Sequence, residues 1–294
     1  MTILKNFKIM NNILGWMVFI IASSVYLLTI EPTASWWDCG EYISTAFKLE
    51  VGHPPGAPLF QLMGRFFSLF AGSDVTKVAM MVNSMSAILS GFTILFLFWS
   101  ITAIAKKIFI KSNSYNLTTP QIFIVLGAGL VGALAYTFTD SFWFSAVEGE
   151  VYATSAFFTS IVFWAILKWD VVADEKHANR WIVFIAFIMG LSIGVHLLNL
   201  LCIPAMTMLY YFRKGKQSTK NLILTLILSV FILGFVQSGI IPWTVKLAGF
   251  FELFFVNTVG LPFNSGTIIY FILIVGLITL GLILTKKHGK TVFN

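Results

Sequence analysis

Long apolar segments separated by short charged stretches are the feature that most restricts how this chain can fold. A helix needs roughly 20 consecutive apolar residues to cross about 30 Å of hydrocarbon, and within that layer only helices and closed barrels satisfy their own backbone hydrogen bonds. The 294 residues are 58% hydrophobic and only 11% charged. The sequence therefore predicts an all-α polytopic membrane protein and excludes a soluble globular protein.

About eight transmembrane helices are predicted from the apolar segments. Six of them are approximately Ile13–Ile30, Val78–Ala105, Ile122–Thr139, Val151–Leu167, Leu222–Ile240 and Thr267–Leu284. Residues 181–212 form either one long kinked helix or two short arms joined at His196–Asn199. The two-armed hairpin is favoured because it returns the basic cluster at 213–220 to the side that already holds Lys168.

Two connections between these spans are expected to contain amphipathic structure. Pro58–Ala71 is apolar but too short to span the membrane, and it carries Gln61 and Arg65, which predicts an interfacial helix in the first outer loop. Ile241–Gly266 is expected to be a non-spanning connection that contains an amphipathic piece.

The charges divide unequally between the two sides of this arrangement. Fifteen of the 19 Lys and Arg residues fall on the side of the N-terminus, and nine of the 12 acidic residues fall on the opposite side. The positive-inside rule then places both termini in the cytoplasm and the acidic loops outside. The basic residues lie in short clusters between spans, so the net charge of +7 reflects topology, and no nucleic-acid partner is expected.

Residues 31–58, called here the acidic segment, gather four carboxylates, two tryptophans and a histidine in one outer loop. If Trp37–Leu49 is helical, Asp38 and Glu41 share a face, and their repulsion is expected to raise one pKa. The alternative is a solvated first helical turn, in which acidic residues are favoured by the helix dipole. Ionisable residues at the outer rim rather than at mid-membrane favour chemistry at the outer surface.

Glycosyl transfer to a hydroxyl is a reaction that such residues can perform. It needs a carboxylate base beside the acceptor, which Asp38 and Glu41 supply, and a group that steadies the departing anion. Arg65 is the best placed outer cation to hold a lipid phosphate. The alternative for Arg65 is snorkelling to headgroups.

Four further polar residues are candidates for substrate binding. Glu148 and Glu150 precede the fourth span, where the alternative is favourable placement at a helix N-terminus. His53 lies in a rigid His-Pro-Pro-Gly turn and His196 in an otherwise apolar region, and each has a structural alternative. The cysteine and histidine spacing matches no metal motif, so no cofactor is expected; a divalent metal is allowed but not indicated.

Five motifs carry a resemblance to a known family. They are WWDCGEY with GHPPGAPLF, then SFWFSAVEGEVYATSAFF, GVHLLNLL and NTVGLPFNSG, in that order over roughly residues 12–285. The chain resembles a bacterial membrane family that is related to the protein O-mannosyltransferases and has the GT-C glycosyltransferase architecture. The resemblance implies an inverting enzyme of the bacterial inner membrane whose active site faces the periplasm.

The resemblance also implies substrates and site residues. The donor is a polyprenyl-phosphate sugar, and the acceptor is a hydroxyl, plausibly on Ser or Thr of an exported protein or peptide. Asp38 and Glu41 match the acidic catalytic motif, with Asp38 as the base. His53, Glu148, Glu150 and His196 match other polar positions of the family. Membrane lipid is the remaining expected partner.

Two departures from the family pattern and one rival interpretation accompany this reading. Cys39 and Gly40 separate two acids that are often adjacent in the O-mannosyltransferases. Family members are commonly longer, so residues 1–294 are expected to form a single, minimal or truncated module. The rival is a non-catalytic membrane protein such as a lipid-linked-sugar flippase, a transporter or an envelope-complex subunit.

Overall fold

The computed structural model describes residues 2–54, 56–109 and 117–287, and within these ranges the chain is helical without strands. Six helical stretches are long and apolar enough to cross a membrane. They are Phe7–Leu28, Val75–Phe109, Thr119–Thr137, Val151–Val172, Thr219–Thr258 and Ser265–Leu284. The predicted all-α polytopic class is therefore confirmed. Lys111 and Lys290, which belong to the basic clusters used for the topology, lie outside the described residues.

Twelve α-helices are found in the described residues. They are α1 Thr2–Leu28, α2 Cys39–Lys48, α3 Pro58–Ser68, α4 Val78–Phe109, α5 Thr119–Thr137, α6 Asp140–Ala146, α7 Val151–Val172, α8 Asn179–Ile193, α9 Cys202–Lys214, α10 Thr219–Phe235, α11 Ile241–Leu253 and α12 Ser265–Lys287. The described part of the chain packs as two compact units, which are Met1–Lys168 with Phe184–Cys202, and Trp169–Val183 with Ile203–Asn294. The single module predicted for residues 1–294 stays a prediction.

The break predicted near His196–Asn199 is present. The 15-residue α8 ends at Ile193, and the 13-residue α9 begins at Cys202 after a 3₁₀ turn over Leu197–Leu201. His196 Nδ1 accepts the backbone N–H of Leu198 at 3.1 Å, which caps this turn. One uninterrupted helix over residues 181–212 is therefore excluded.

The connection predicted over Ile241–Gly266 is helical for most of its length and continuous with the span before it. Helix α10 continues through a π-helical turn at Val236–Ile240 into α11, and a second π-turn follows at Phe254–Thr258. Pro242 lies in the first turn of α11, where the π-turn accommodates the missing N–H. The result is one apolar helical stretch of 40 residues.

The first unit is built around α1, α4 and α5. Gly91 of α4 lies directly against Ser23 of α1, and Gly129 of α5 lies against Phe98 of α4. Small residues of this kind let membrane helices approach closely. The buried Tyr26 hydroxyl donates to the carbonyl of Thr137 at 2.9 Å, which ties α1 to the end of α5.

Helices α2 and α3 pack on each other and on the N-terminal end of α4. Gly64 of α3 faces Ala46 of α2, where an added Cβ would lie 2.9 Å from the alanine methyl. Gln61 Nε2 donates to Thr45 Oγ1 at 2.7 Å. The opposite face of α3 exposes Leu62 and Phe66. This amphipathic arrangement matches the predicted interfacial helix.

Charged side chains link elements of the second unit at two places. Arg213 and Lys214 of α9 pair with Asp174, and Arg213 lies 3.7 Å from Asp170. Glu252 of α11 accepts the backbone N–H groups of Asn264 and Thr267 at 2.6 and 2.9 Å. Glu252 thus satisfies N–H groups that the first turn of α12 leaves unpaired.

Candidate active site

Asp38 and Glu41 lie at the start of α2, and both face the imidazole of His53. Asp38 is the residue immediately before the helix, and Glu41 is in its first turn. His53 Nδ1 lies 3.0 Å from Glu41 Oε2, and His53 Nε2 lies 3.8 Å from Asp38 Oδ2. The backbone N–H of His53 also donates to Glu41 Oε1 at 2.6 Å. The sequence correctly predicted that the two acids share one face.

Repulsion between Asp38 and Glu41 does not determine the direction of the pKa shift of Glu41. Hydrogen bonds from the His53 backbone N–H and then from its ring hold the pKa of Glu41 below its usual value. The same carboxylate raises the pKa of His53. The pKa of Glu41 is lowered rather than raised because an imidazole lies beside its carboxylate as a hydrogen-bond donor.

Replacing Glu41 by glutamine tests this pairing. Loss of the carboxylate removes the main cause of the raised His53 pKa, so His53 should release its proton at a lower pH in Glu41→Gln than in the wild type. Titration of the His53 ring by NMR measures the change, with Glu50→Gln as a matched control elsewhere in the acidic segment. An unchanged His53 titration in Glu41→Gln would contradict the pairing.

Glu148 and Glu150 are buried, with relative exposures of 3% and 4%. Glu148 accepts a hydrogen bond from the hydroxyl of Ser35, and Glu150 lies close enough to the backbone N–H of Asp38 for that group to lower its pKa. Burial raises the pKa of Glu148. Burial, followed by the charges of Glu148 and Asp38, raises the pKa of Glu150 to about 7. Both glutamates therefore contact the acidic segment itself.

Asn83 of α4 also holds the acidic segment, and the sequence did not single it out. Its fully buried side-chain amide donates to the carbonyls of Glu31 and Thr33 at 2.6 and 2.9 Å. Gly149 packs closely against the Asn83 side chain, since a Cβ added to Gly149 would lie 2.8 Å from Asn83 Oδ1. A polar amide within a predicted span was the available signal, because such residues have a partner or a function.

Two tyrosines, Tyr42 and Tyr152, lie between the acidic residues and His196. Burial, and then the charges of Asp38 and Glu150, raise the pKa of Tyr42 to about 12, and Tyr152 contributes to the same effect. The Tyr152 ring lies 5.5 Å from the ring of His196. Burial lowers the pKa of His196, and its Nδ1 is occupied by the Leu198 N–H. His196 therefore presents Nε2–H as a hydrogen-bond donor.

Arg65 lies at the opposite end of α2 from Asp38. Its Nη1 donates to the carbonyl of Phe47 at 2.8 Å and to Ser68 Oγ at 3.4 Å. Its guanidinium lies 5.3 Å from the centre of the Phe47 ring. These contacts fix one nitrogen of the guanidinium against the C-terminus of α2, and its other N–H groups are the ones a ligand can use.

Asp38, Glu41 and His53 are also the described residues best arranged to hold a metal ion. Their ligand atoms lie within 4.8 Å of one another, and all three side chains are exposed. His53 and Glu41 already satisfy each other by hydrogen bonds, so this geometry does not require an ion. The expectation that no cofactor is needed stays a prediction. Cys39 and Cys202 are free thiols.

The fold and site define a polytopic α-helical membrane protein with carboxylates gathered in the segment between its first two long helices, α1 and α4. Residues 38–219 match the family described as the protein O-mannosyl-transferase TMEM260 N-terminal domain. The chain therefore belongs to this family, and the resemblance to O-mannosyltransferases is confirmed.

Two relatives show how far the similarity extends. The chain is 27% identical over 146 residues to the protein O-mannosyl-transferase tmem260 of Dictyostelium discoideum, which covers 50% of this chain and 16% of that protein. It is 26% identical over 230 residues to the protein O-mannosyl-transferase TMEM260 of Mus musculus, which covers 77% of this chain and 29% of that protein. The chain thus matches less than a third of the length of either relative. No solved structure matches it.

Proposed function

We propose that this chain is the membrane module of an inverting glycosyltransferase of GT-C type. It moves mannose or another hexose from a polyprenyl-phosphate donor to a hydroxyl, on Ser or Thr of an exported protein. Membership of a family whose relatives are named protein O-mannosyl-transferases supports the reaction class. The finer assignments rest on the chemistry of the acidic segment.

The observation that carries the proposal is the convergence of Asp38, Glu41 and His53 in a segment that buried side chains hold in place. Asn83 and Glu148 form hydrogen bonds with the acidic segment at Glu31, Thr33 and Ser35, and Glu150 lies near the backbone N–H of Asp38. Such anchoring suits a catalytic group, because a reacting carboxylate must be held close to its productive geometry.

In the proposed reaction Asp38 accepts the proton of the acceptor hydroxyl. The oxygen of that hydroxyl attacks the anomeric carbon of the donor sugar at the same time. The bond from that carbon to the phosphate oxygen breaks, and the lipid phosphate departs as a stable anion that needs no general acid. Glu41 and His53 orient Asp38 and the acceptor. A single displacement of this kind inverts the anomeric configuration.

We also propose an orientation for the chain in a bacterial inner membrane. Both termini face the cytoplasm and the acidic segment faces the periplasm, following the positive-inside distribution of Lys and Arg. A membrane-impermeant thiol reagent applied from outside should label Ser73→Cys and spare Ser218→Cys in a background without the two native cysteines. Labelling of position 218 from outside would contradict the orientation.

Arg65 is proposed to hold the donor phosphate with the N–H groups that Phe47 does not use. Arg65→Ala should then weaken donor use more than acceptor use, measured as separate KM values. Arg65→Lys should recover only part of the loss, because an ammonium cannot reproduce the bidentate fork. Equal losses for donor and acceptor would indicate that Arg65 only stabilises the C-terminus of α2.

The experiment that tests the proposed function is sugar transfer by the purified chain. Labelled mannose should pass from a synthetic polyprenyl phosphate to a Ser- or Thr-containing peptide, and a nucleotide-linked mannose should not replace that donor. Absence of transfer by folded protein, or transfer from the nucleotide donor alone, would contradict the proposal.

A further inference from the structure

A cavity of about 380 Å³ lies between the end of α5, helix α6 and the first turns of α7, and Asp38, Glu41 and His53 are not among the residues that line it. Its walls carry hydroxyl groups and aromatic rings. The residues concerned are Tyr136, Thr139, Ser141, Phe142, Ser145 and Tyr152. The volume lies near the lower end of the range for small-molecule sites, roughly 300–1,000 Å³, which is enough for one sugar ring.

The lining of the cavity is mostly apolar, carries several hydroxyl groups and is uncharged. Thr139 Oγ1 donates to the Tyr136 carbonyl at 2.8 Å and Ser145 Oγ donates to the Ser141 carbonyl at 3.3 Å, so these two oxygens face a ligand as acceptors. Ser141 and the two tyrosines supply hydroxyls that can donate. No Asp, Glu, Lys or Arg is among the described residues that line it. A phosphate or an amine would therefore find no counter-charge there.

Aromatic surface accompanies these hydroxyls. Tyr136 stacks on Phe142 with ring centres 4.5 Å apart, and Tyr152 is 49% exposed. Aromatic rings bury the apolar C–H faces of a ligand, while the phenolic hydroxyls keep a polar contact at the edge. A neutral ligand with several hydroxyls and apolar faces satisfies both kinds of wall.

Tyr152 joins this cavity to the candidate active site. It follows Glu150 by two residues, and its ring lies 5.5 Å from that of His196. It also contributes to the raised pKa of the Tyr42 hydroxyl. A ligand that contacts Tyr152 from within the cavity therefore lies against a side chain that also borders His196, at the edge of the candidate active site.

We propose that this cavity binds a hexopyranose ring at the edge of the active site. The proposal rests on the proposed function and names the ligand that this part of the site takes. The ring comes either from the polyprenyl-phosphate donor or from a sugar already attached to the acceptor, since both present the same hydroxyls and C–H faces.

Saturation-transfer NMR with methyl α-D-mannopyranoside and the purified full chain tests the binding. The wild type should transfer saturation to the ring protons of the sugar, and Ser141→Trp, which fills the cavity, should abolish the signal. Tyr136→Phe and Ser141→Ala add no bulk and should each weaken binding by about fivefold to tenfold, as expected for loss of one hydrogen bond. Tyr210→Phe, at an exposed tyrosine of the second unit, is the matched control and should bind as the wild type does.

Two further titrations identify the source of the sugar. If the ring belongs to the donor, Ser141→Trp weakens binding of polyprenyl-phosphate mannose and leaves binding of unglycosylated polyprenyl phosphate unchanged. If the ring belongs to the acceptor, the variant weakens binding of a mannosylated peptide and leaves the donor unaffected. Either result supports a hexose site in the cavity.

The proposal is overturned if folded wild-type protein gives no saturation transfer, or if Ser141→Trp and the two smaller changes leave it intact. These results are distinguishable from failure of the proposed function. A chain that transfers mannose but ignores changes in the cavity loses only the cavity assignment. A chain that binds the sugar through the cavity and transfers nothing loses only the glycosyltransferase assignment.

Discussion

Asp38→Asn should lower the rate of sugar transfer by about 10²–10⁴-fold, the usual contribution of a positioned acid–base group. Asparagine keeps the size of aspartate and most of its hydrogen bonding but cannot accept the proton of the attacking hydroxyl. The Asp38 side chain is 57% exposed, so its replacement should change thermal stability little. Donor binding should also persist, because the exchange leaves the proposed phosphate and sugar contacts intact.

The matched control for Asp38→Asn is Glu50→Gln, which also neutralises one carboxylate. Glu50 belongs to the same acidic segment, is exposed and lies 4.0 Å from Lys48, so its neutralisation should leave the transfer rate near that of the wild type. Rates are measured at saturating donor and acceptor for both variants. An Asp38→Asn protein that transfers sugar at the wild-type rate would remove Asp38 as the base and direct attention to Glu148 and Glu150.

Asn83→Asp should combine a loss of stability with a loss of turnover. The carboxylate cannot donate to the carbonyls of Glu31 and Thr33, so two partly buried hydrogen bonds are lost, each contributing about 0.5–1.5 kcal/mol. Release of the segment that precedes Asp38 should also displace the base, and a misplacement of about 1 Å is enough to lower turnover roughly 10²-fold. Unfolding in detergent and the transfer rate are measured on the same preparations.

Tyr26→Phe separates these two effects of Asn83→Asp. It removes one buried hydrogen bond, to the Thr137 carbonyl, which lies within the spans rather than in the acidic segment. It should lower the free energy of unfolding by about 1 kcal/mol and leave turnover unchanged. If Asn83→Asp retains wild-type turnover at a temperature where it is folded, Asn83 does not position the base.

The helical class and most span positions were predictable from the sequence because the membrane requires long apolar helices. The break at His196–Asn199 was found from charge, since an uninterrupted helix would place the cluster at 213–220 on the acidic side. The continuation of α10 through Pro242 was missed. Residues 241–266 were expected to be a connection, but two π-turns keep the helix intact and leave it 40 residues long.

The residue types of the candidate site were predictable, but their partners were not. The spacing of Asp38 and Glu41 gave the shared face, whereas the contact of Glu41 with His53 depends on the loop between α2 and α3. Glu148 and Glu150 were predicted to bind substrate, and the structure places both against the acidic segment. Asn83 was missed because the partners of its amide are carbonyls some 50 residues away, which no local pattern reveals.

The anomeric configuration of the product tests the central claim most directly. A synthetic polyprenyl phosphate carrying β-linked mannose is incubated with the purified chain and a Ser- or Thr-containing peptide, and the linkage in the product is read by NMR. A single displacement assisted by Asp38 predicts an α-mannosyl peptide. A β-mannosyl product, or no product from folded protein that binds the donor, would contradict the claim.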